Sequence, residues 1–267
     1  MAQLDRVKMN TPVKAIKKEL ETKGYSQLIS LNGMDLEMVS KSIRTQWLET
    51  LKDKTNILSN LRDKEMLRIE DYHLISEKIS HKSLWTKDSR ILPRDFFGWF
   101  VGESMIYKEL ENIFGEIVIT DEEELGYGNI YWRLVRPYQQ SDIGPLHRDA
   151  WFWEANDNYI VSNYTNYERI KVWIAINVEE GKNGLLVEPE SHKRKDVEWE
   201  PEIRDGKPKP KLVTANDRFN PTLLNCKKGN AVIFVDELIH GGALNCGKET
   251  RVSAEFTIAR PLGVAVK

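Results

Sequence analysis

Apolar residues recur at helical spacing through most of residues 14–110, most regularly from Asp35 to Leu51, and Thr11-Pro12 offers a helix start ahead of them. A short extended piece, Tyr25 to Leu31, interrupts this pattern before Asn32-Gly33. From Ile117 onward the period changes. Short β-branched and aromatic runs follow one another: Ile117 to Ile119, Tyr131 to Val135, Lys171 to Ile176, Ala231 to Val235 and Arg251 to Ile258. Between Val197 and Arg218 the chain turns polar and carries Pro201, Pro208 and Pro210 among lysines. That stretch is too rich in breakers for the inside of a sheet and is expected to cross the surface, where it could serve as a lid. Helices first and strands later predict an α+β layout with a mainly β core, helices buttressing one face of a sandwich or barrel. The expected organisation is one domain over residues 1–267, with 1–116 mainly helical support, 117–260 the strand-built core, and a surface insert near 197–218.

Composition adds bounds. A chain of 267 residues, 40% hydrophobic and 30% charged, can bury one sizeable core. A formal net charge of -2 lacks the basic footprint of a sequence-independent nucleic-acid binder, so a small-molecule substrate is expected and nucleic acid is not. The first ten residues lack the apolar run of a signal peptide, and no window approaches the roughly 18 apolar residues of a spanning helix, which predicts a cytoplasmic protein without a transmembrane segment. Cys226 and Cys246 are too few for a disulfide scaffold and are expected as small buried residues. Nothing in the pattern fixes an oligomeric state.

The chemistry sits in the strand-rich half. His147-Arg148-Asp149 puts an imidazole and a carboxylate two residues apart, and in extended chain such side chains share a face with roots about 7 Å apart. Far along the chain, His240-Gly241-Gly242 places a second imidazole just past an apolar strand, where glycines let backbone pass close to a site. Two nitrogens and one oxygen on one face of an octahedron leave three positions open, the facial arrangement of non-haem iron(II) oxygenases. Zinc accepts the same donors, so a non-oxidative, cupin-like metal protein competes on these residues alone. Arg251, eleven residues after His240, discriminates: its guanidinium can fork onto a distant carboxylate, with the Ser253 hydroxyl on the same strand face, and a hydrolase needs no such anchor. The spacing predicts that the strand after His240 runs back beside it as in a β-hairpin.

These pieces resemble the phytanoyl-CoA dioxygenase group of 2-oxoglutarate oxygenases. The matching segments are Leu134-Val135-Arg136-Pro137, Pro145-Leu146-His147-Arg148-Asp149, Val172 to Ile176, Asn183 to Lys193, His240-Gly241-Gly242 and Arg251-Val252-Ser253, in the family's order. The resemblance implies a double-stranded β-helix, a jelly-roll or cupin-like barrel with helices outside. It implies Fe(II) held by His147, Asp149 and His240, and 2-oxoglutarate as cosubstrate with O2. Arg251 and Ser253 would meet the far carboxylate, Trp173 would line that pocket, and Arg133 is a second candidate for it. By the same analogy His192 is structural or at the pocket edge. Halogenating relatives leave the carboxylate position to chloride; Asp149 fills it here, which favours hydroxylation of an unactivated C–H bond or a related oxidation. The family's Pro-Gly-Ser-His reads Pro189-Glu190-Ser191-His192, so the turn that glycine permits is in question.

Trp151 and Trp153 follow the metal loop directly. Strand alternation would send both to the face of His147 and Asp149 as an aromatic wall for a sugar ring, while plain core packing is the competing reading. Together with nearby Lys193-Arg194-Lys195, this tilts the expected substrate toward a small polar or anionic molecule. An acidic sugar of the lipopolysaccharide type, as in the Kdo hydroxylases that resemble this family, is the specific expectation; a lipid or natural-product scaffold is the alternative.

Overall fold

The structure, a computed structural model, describes residues 12–55, 67–155, 164, 166–204 and 206–262. Helix α1 (Val13–Lys23) begins directly after Pro12, while Thr11 lies outside the described residues. It stops at Gly24, whose φ of 87° and N–H bonds to Glu19 O and Leu20 O close the last turn. A side chain there would strike the His192 ring, which lies 2.6 Å from the place a Cβ would take. Strand β1 (Tyr25–Ser30) follows, then α2 (Gly33–Lys54), capped by Asn32, whose side chain accepts from Asp35 N at 2.8 Å. Val39, Ile43, Trp47 and Leu51 recur every fourth residue and form the buried stripe of α2. Short helices α3 (Tyr72–Ile75) and α4 (His81–Leu84) lead to α5 (Arg94–Glu103) and α6 (Met105–Phe114).

The remaining elements are β2 (Val118–Ile119), β3 (Tyr131–Val135), α7 (Asp149–Ala155), β4 (Tyr167–Asn177), β5 (Leu185–Val187), β6 (Trp199–Arg204), β7 (Lys207–Leu212), β8 (Thr222–Leu223), β9 (Asn230–Val235), β10 (His240–Gly242) and β11 (Arg251–Pro261). The main sheet runs β1-β9-β4-β11-β2, with β3 also paired to β11. All its pairings are antiparallel. A second antiparallel sheet runs β10-β5-β8, extended by a bridge between His147 and His240. The result is a mixed helix-and-sheet architecture, as the order of patterns predicts.

Both faces of the main sheet are covered, so its central strands read as near-continuous apolar runs. Ile170, Val172 and Ile174 of β4 and Val252, Ala254, Phe256 and Ile258 of β11 pack with the helices in one buried cluster. Phe100 of α5 meets Phe256 edge-on at 5.4 Å, and the Trp132 indole donates to Gln46 Oε1 at 2.7 Å, fastening β3 to α2. The opposite face carries Trp173, Ala175, Val232 and Phe234, packed with Leu185, Val187, Leu224 and Leu238. That second face looks toward the site.

The extended piece expected at Tyr25 to Leu31 is β1, which parts α1 from α2 and forms an edge strand of the main sheet, with Tyr25 and Ser26 paired to Phe234 and Ile233. Three expectations need correction. The segment at 197–218 folds as its own two-stranded ribbon, β6 on β7; prolines 201 and 210 face each other and need donate nothing to a third strand. Strands β10 and β11 form no hairpin, since β10 pairs with β5 in one sheet and β11 with β4 in the other. Cys226 is buried, but Cys246 is exposed on the turn before β11.

Candidate metal centre

His147 and His240 are locked together by backbone. His147 N donates to His240 O at 3.0 Å and His240 N to His147 O at 2.9 Å, which sets the two rings 4.4 Å apart, centroid to centroid. Asp149 is not on extended chain, as the sequence predicts, but opens α7, so the chain turns inward right after the bridge and carries the carboxylate to the rings. Asp149 Oδ1 lies 3.5 Å from His147 Nε2 and 3.7 Å from His240 Nε2, and the three donor atoms all fall within 4.8 Å of one another.

The hydrogen bonds behind the rings fit a cation. His147 Nδ1 faces Pro145 O at 2.9 Å and His240 Nδ1 faces Leu238 O at 3.0 Å. A carbonyl can only accept, so both Nδ1 atoms carry the proton and both Nε2 lone pairs point toward Asp149. Two lone pairs turned on a carboxylate repel unless a positive charge lies between them. Burial pushes His240 down to about 4, keeping it neutral and ready to ligate, and Asp149 is held far below the usual carboxylate range: burial would raise it, but Lys171 and the two imidazoles outweigh that. These residues suit a divalent metal.

A second group of atoms lacks partners. Arg251 is 3% exposed and its Nη1 donates to Gly184 O, yet its Nε is buried without a partner; so is the Ser253 hydroxyl, two residues on along the same face of β11. Trp173 stands beside them with its ring 6.0 Å from the Arg251 guanidinium carbon. Burial, with Arg133 adding repulsion, lowers Arg251 to about 10, so it remains cationic at neutral pH. Two buried donors left open beside a wall of indole are what a carboxylate would fill.

Arg133 is placed on the same side, opposite Ser253, but it is committed: its Nε donates to Glu255 Oε1 at 2.7 Å. Burial would raise Glu255, yet Arg133 and Lys171 pull it to about 2. Arg133 is half exposed although its neighbours Trp132 and Leu134 are buried, so solvent reaches this inner face. Trp151 and Trp153 do not lie on the extended chain that alternation assumed. Helix α7 replaces it, and Trp151 stacks on Trp199 of the ribbon at 5.7 Å and 17°, while Trp153 packs against Tyr164 and Arg169. His192 is tied to the end of α1, its Nε2 facing Glu21 O at 3.1 Å, away from the three donors.

Sequence reading missed Lys171. Its Nζ lies 3.5 Å from Asp149 Oδ2 and 3.3 Å from Thr257 Oγ1, and Thr257 donates on to Glu122. Burial would lower this amine, but Asp149, Glu122 and Glu255 hold it above its ordinary value. The available signal was a charge between Ile170 and Val172 at the head of an apolar run, two residues from Trp173 and therefore on its face.

Two imidazoles and one carboxylate gathered on one side, with open donors for an acid nearby, form the donor set of a mononuclear non-haem iron oxygenase. The chain belongs to the phytanoyl-CoA dioxygenase (PhyH) family, whose model matches residues 55–253. It is a non-haem iron enzyme that uses 2-oxoglutarate, and its family acts on small molecules. Solved structures share the cupin-type fold. A non-heme monooxygenase, ThoJ in its apo form, aligns with TM-score 0.54 at 11% identity over 92% of this chain and 79% of that one. AviO1 from Streptomyces viridochromogenes Tue57 aligns at 0.51, 16% identical, over 100% of both chains. The epimerase SnoN in complex with Fe3+, alpha ketoglutarate and nogalamycin RO aligns at 0.51, 12% identical, over 96% of this chain and 92% of that one. No curated protein matches the sequence significantly. No described helix is long and apolar enough to cross a membrane.

Proposed function

We propose that His147, Asp149 and His240 hold Fe(II), that Arg251 and Ser253 receive the distal carboxylate of 2-oxoglutarate against Trp173, and that the enzyme hydroxylates a C–H bond of a small polar or anionic substrate. The observation that carries this is the pairing of two tautomer-locked Nε2 lone pairs on Asp149 Oδ1 with unpartnered buried donors on Arg251 and Ser253. When bound, iron and 2-oxoglutarate would supply the oxidising power, with succinate and carbon dioxide as the coproducts. The chain's own part is to orient the acid, keep the ligand face one-sided and exclude water from the reacting bond.

The fold reading behind this is a double-stranded β-helix. It is supported by the way chain order alternates between sheets: β3 in the first, the His147 bridge in the second, β4 in the first, β5 and β8 in the second, then β9, β10 and β11 by turns. A single domain is supported by one apolar cluster that runs from Ile16 and Val39 of the helices to Ile174 and Phe256 of the strands.

The polar substrate is supported by what shares the inner face with Trp173. Arg133, Glu255, Lys171 and Thr257 interleave positive, negative and hydroxyl groups on β3, β4 and β11. An acyl chain laid over them would strip water from charges and return nothing, whereas hydroxyls or a carboxylate can replace that water. An acidic sugar meets this description. Succinate release, screened over acidic sugars, amino acids and acyl thioesters, tests the reading: turnover with polar acids is expected, and turnover with acyl thioesters alone would refute it.

A further inference from the structure

We infer that Lys171 is a positioning residue that engages the second oxygen of Asp149 and so confines the carboxylate to a single ligand atom. The inference rests on the metal assignment above. Asp149 presents Oδ1 to both imidazoles, while Oδ2 is turned the other way, buried, without a hydrogen bond, and 3.5 Å from Lys171 Nζ. A carboxylate beside a divalent ion can bind through one oxygen or both. Binding through both would use a position that the 2-oxo acid or dioxygen requires, and a charge fixed at Oδ2 opposes that swing. Lys171 is itself held. It rises from the middle of β4, opposite Thr257 of β11 and Phe234 of β9, with its amine bonded to the Thr257 hydroxyl at 3.3 Å and only 12% of its side chain exposed. A lysine so placed has few rotamers, and this restraint is passed to the carboxylate.

The inference predicts a split between metal and cosubstrate binding. With Mn(II) standing in for iron, calorimetry on wild-type protein should show Mn(II) binding and then 2-oxoglutarate binding. Lys171→Met should keep Mn(II) affinity within a few-fold but weaken 2-oxoglutarate by about tenfold or more, the usual reach of a residue behind a ligand, and Lys171→Arg should recover most of the loss. If Lys171→Met does not fold, Lys171→Gln takes its place with the same expectation. An Asp149→Gly background at saturating Mn(II) separates positioning from direct contact: there Lys171→Met should change 2-oxoglutarate affinity by less than about twofold. Wild-type 2-oxoglutarate affinity in the Met or Gln variant overturns the role of Lys171 alone. An undiminished loss in the Asp149→Gly background overturns it too, by placing the amine on the cosubstrate. Wild-type protein that takes up no Mn(II) overturns the metal assignment with it.

Discussion

Each imidazole of the proposed ligand set is oriented by a bond made on its far side. Pro145 O and Leu238 O fix Nδ1–H, so neither ring turns that proton toward the ion, and burial keeps His240 neutral at neutral pH. His240→Ala removes one of these donors and the aromatic contact with Phe234. Anaerobic addition of Fe(II) and 2-oxoglutarate to the native protein should give a weak visible charge-transfer band at roughly 500 nm, and the His240→Ala variant should give none. Arg251→Ala acts differently. It should weaken 2-oxoglutarate by about ten- to a hundredfold and leave Mn(II) binding near native, because a charge-assisted fork is lost while the ligands stay; simultaneous loss of metal would show that Arg251 is structural. Glu190 is a third case. It takes a left-handed turn of the kind that favours glycine, at φ 64° and ψ 0°, with its N–H given to Lys23 O at 2.9 Å. That angle strains a side-chain-bearing residue, so Glu190→Gly should leave the fold intact and change stability by no more than about 1 kcal/mol, in the stabilising direction, in a denaturant titration.

At the scale of elements, the decisive departure from pattern is α7. Residues 149–155 contain three consecutive large aromatics, Trp151, Phe152 and Trp153, that read as strand, yet Ala150 N bonds to Asp236 O and Trp151 N to Arg148 O, so the chain coils instead. Propensity is weak for seven residues, and the surroundings decide. The ribbon β6–β7 provides those surroundings by stacking Trp199 on Trp151. Trp199→Ala should loosen the ribbon from α7 and lower stability by about 1–3 kcal/mol, with faster proteolytic cleavage between 199 and 212 as the measurement. If cleavage is unchanged, the stack does not fasten the ribbon.

Across the whole molecule, a buried polar network joins the helical half to the turn before the metal loop. Tyr72 OH meets His81 Nδ1 at 3.0 Å and receives the Trp85 indole N–H at 2.8 Å; His81 Nε2 lies 3.6 Å from Asp142, which also binds Arg136. Burial lowers His81 to about 4, with Asp142 opposing. Its folded value lies below the unfolded value near 6.5, so the unfolded chain binds the proton first as pH falls. Stability from this group is therefore complete above about 6.5 and is lost on acidification toward 4, by up to about 3 kcal/mol. Denaturant titrations between those pH values should show the fall, and His81→Asn should reduce it, the remainder coming from His240, which burial lowers to about 4 as well.

What the sequence determined was the local and the repetitive: β3, β4, β9 and β11 appear where β-branched runs predict them, and the stripe of α2 follows from every fourth residue. His147, Asp149 and His240 were legible because a ligand set needs particular residue types, and those stand out wherever they fall. Tertiary structure decided the rest. Which sheet a strand joins, that β10 and β11 part company, that Arg133 is taken by Glu255, and that Lys171 faces Asp149 all depend on partners scores of residues away. Spacing along a chain fixes a side chain's face, but only the packed fold fixes what stands opposite it.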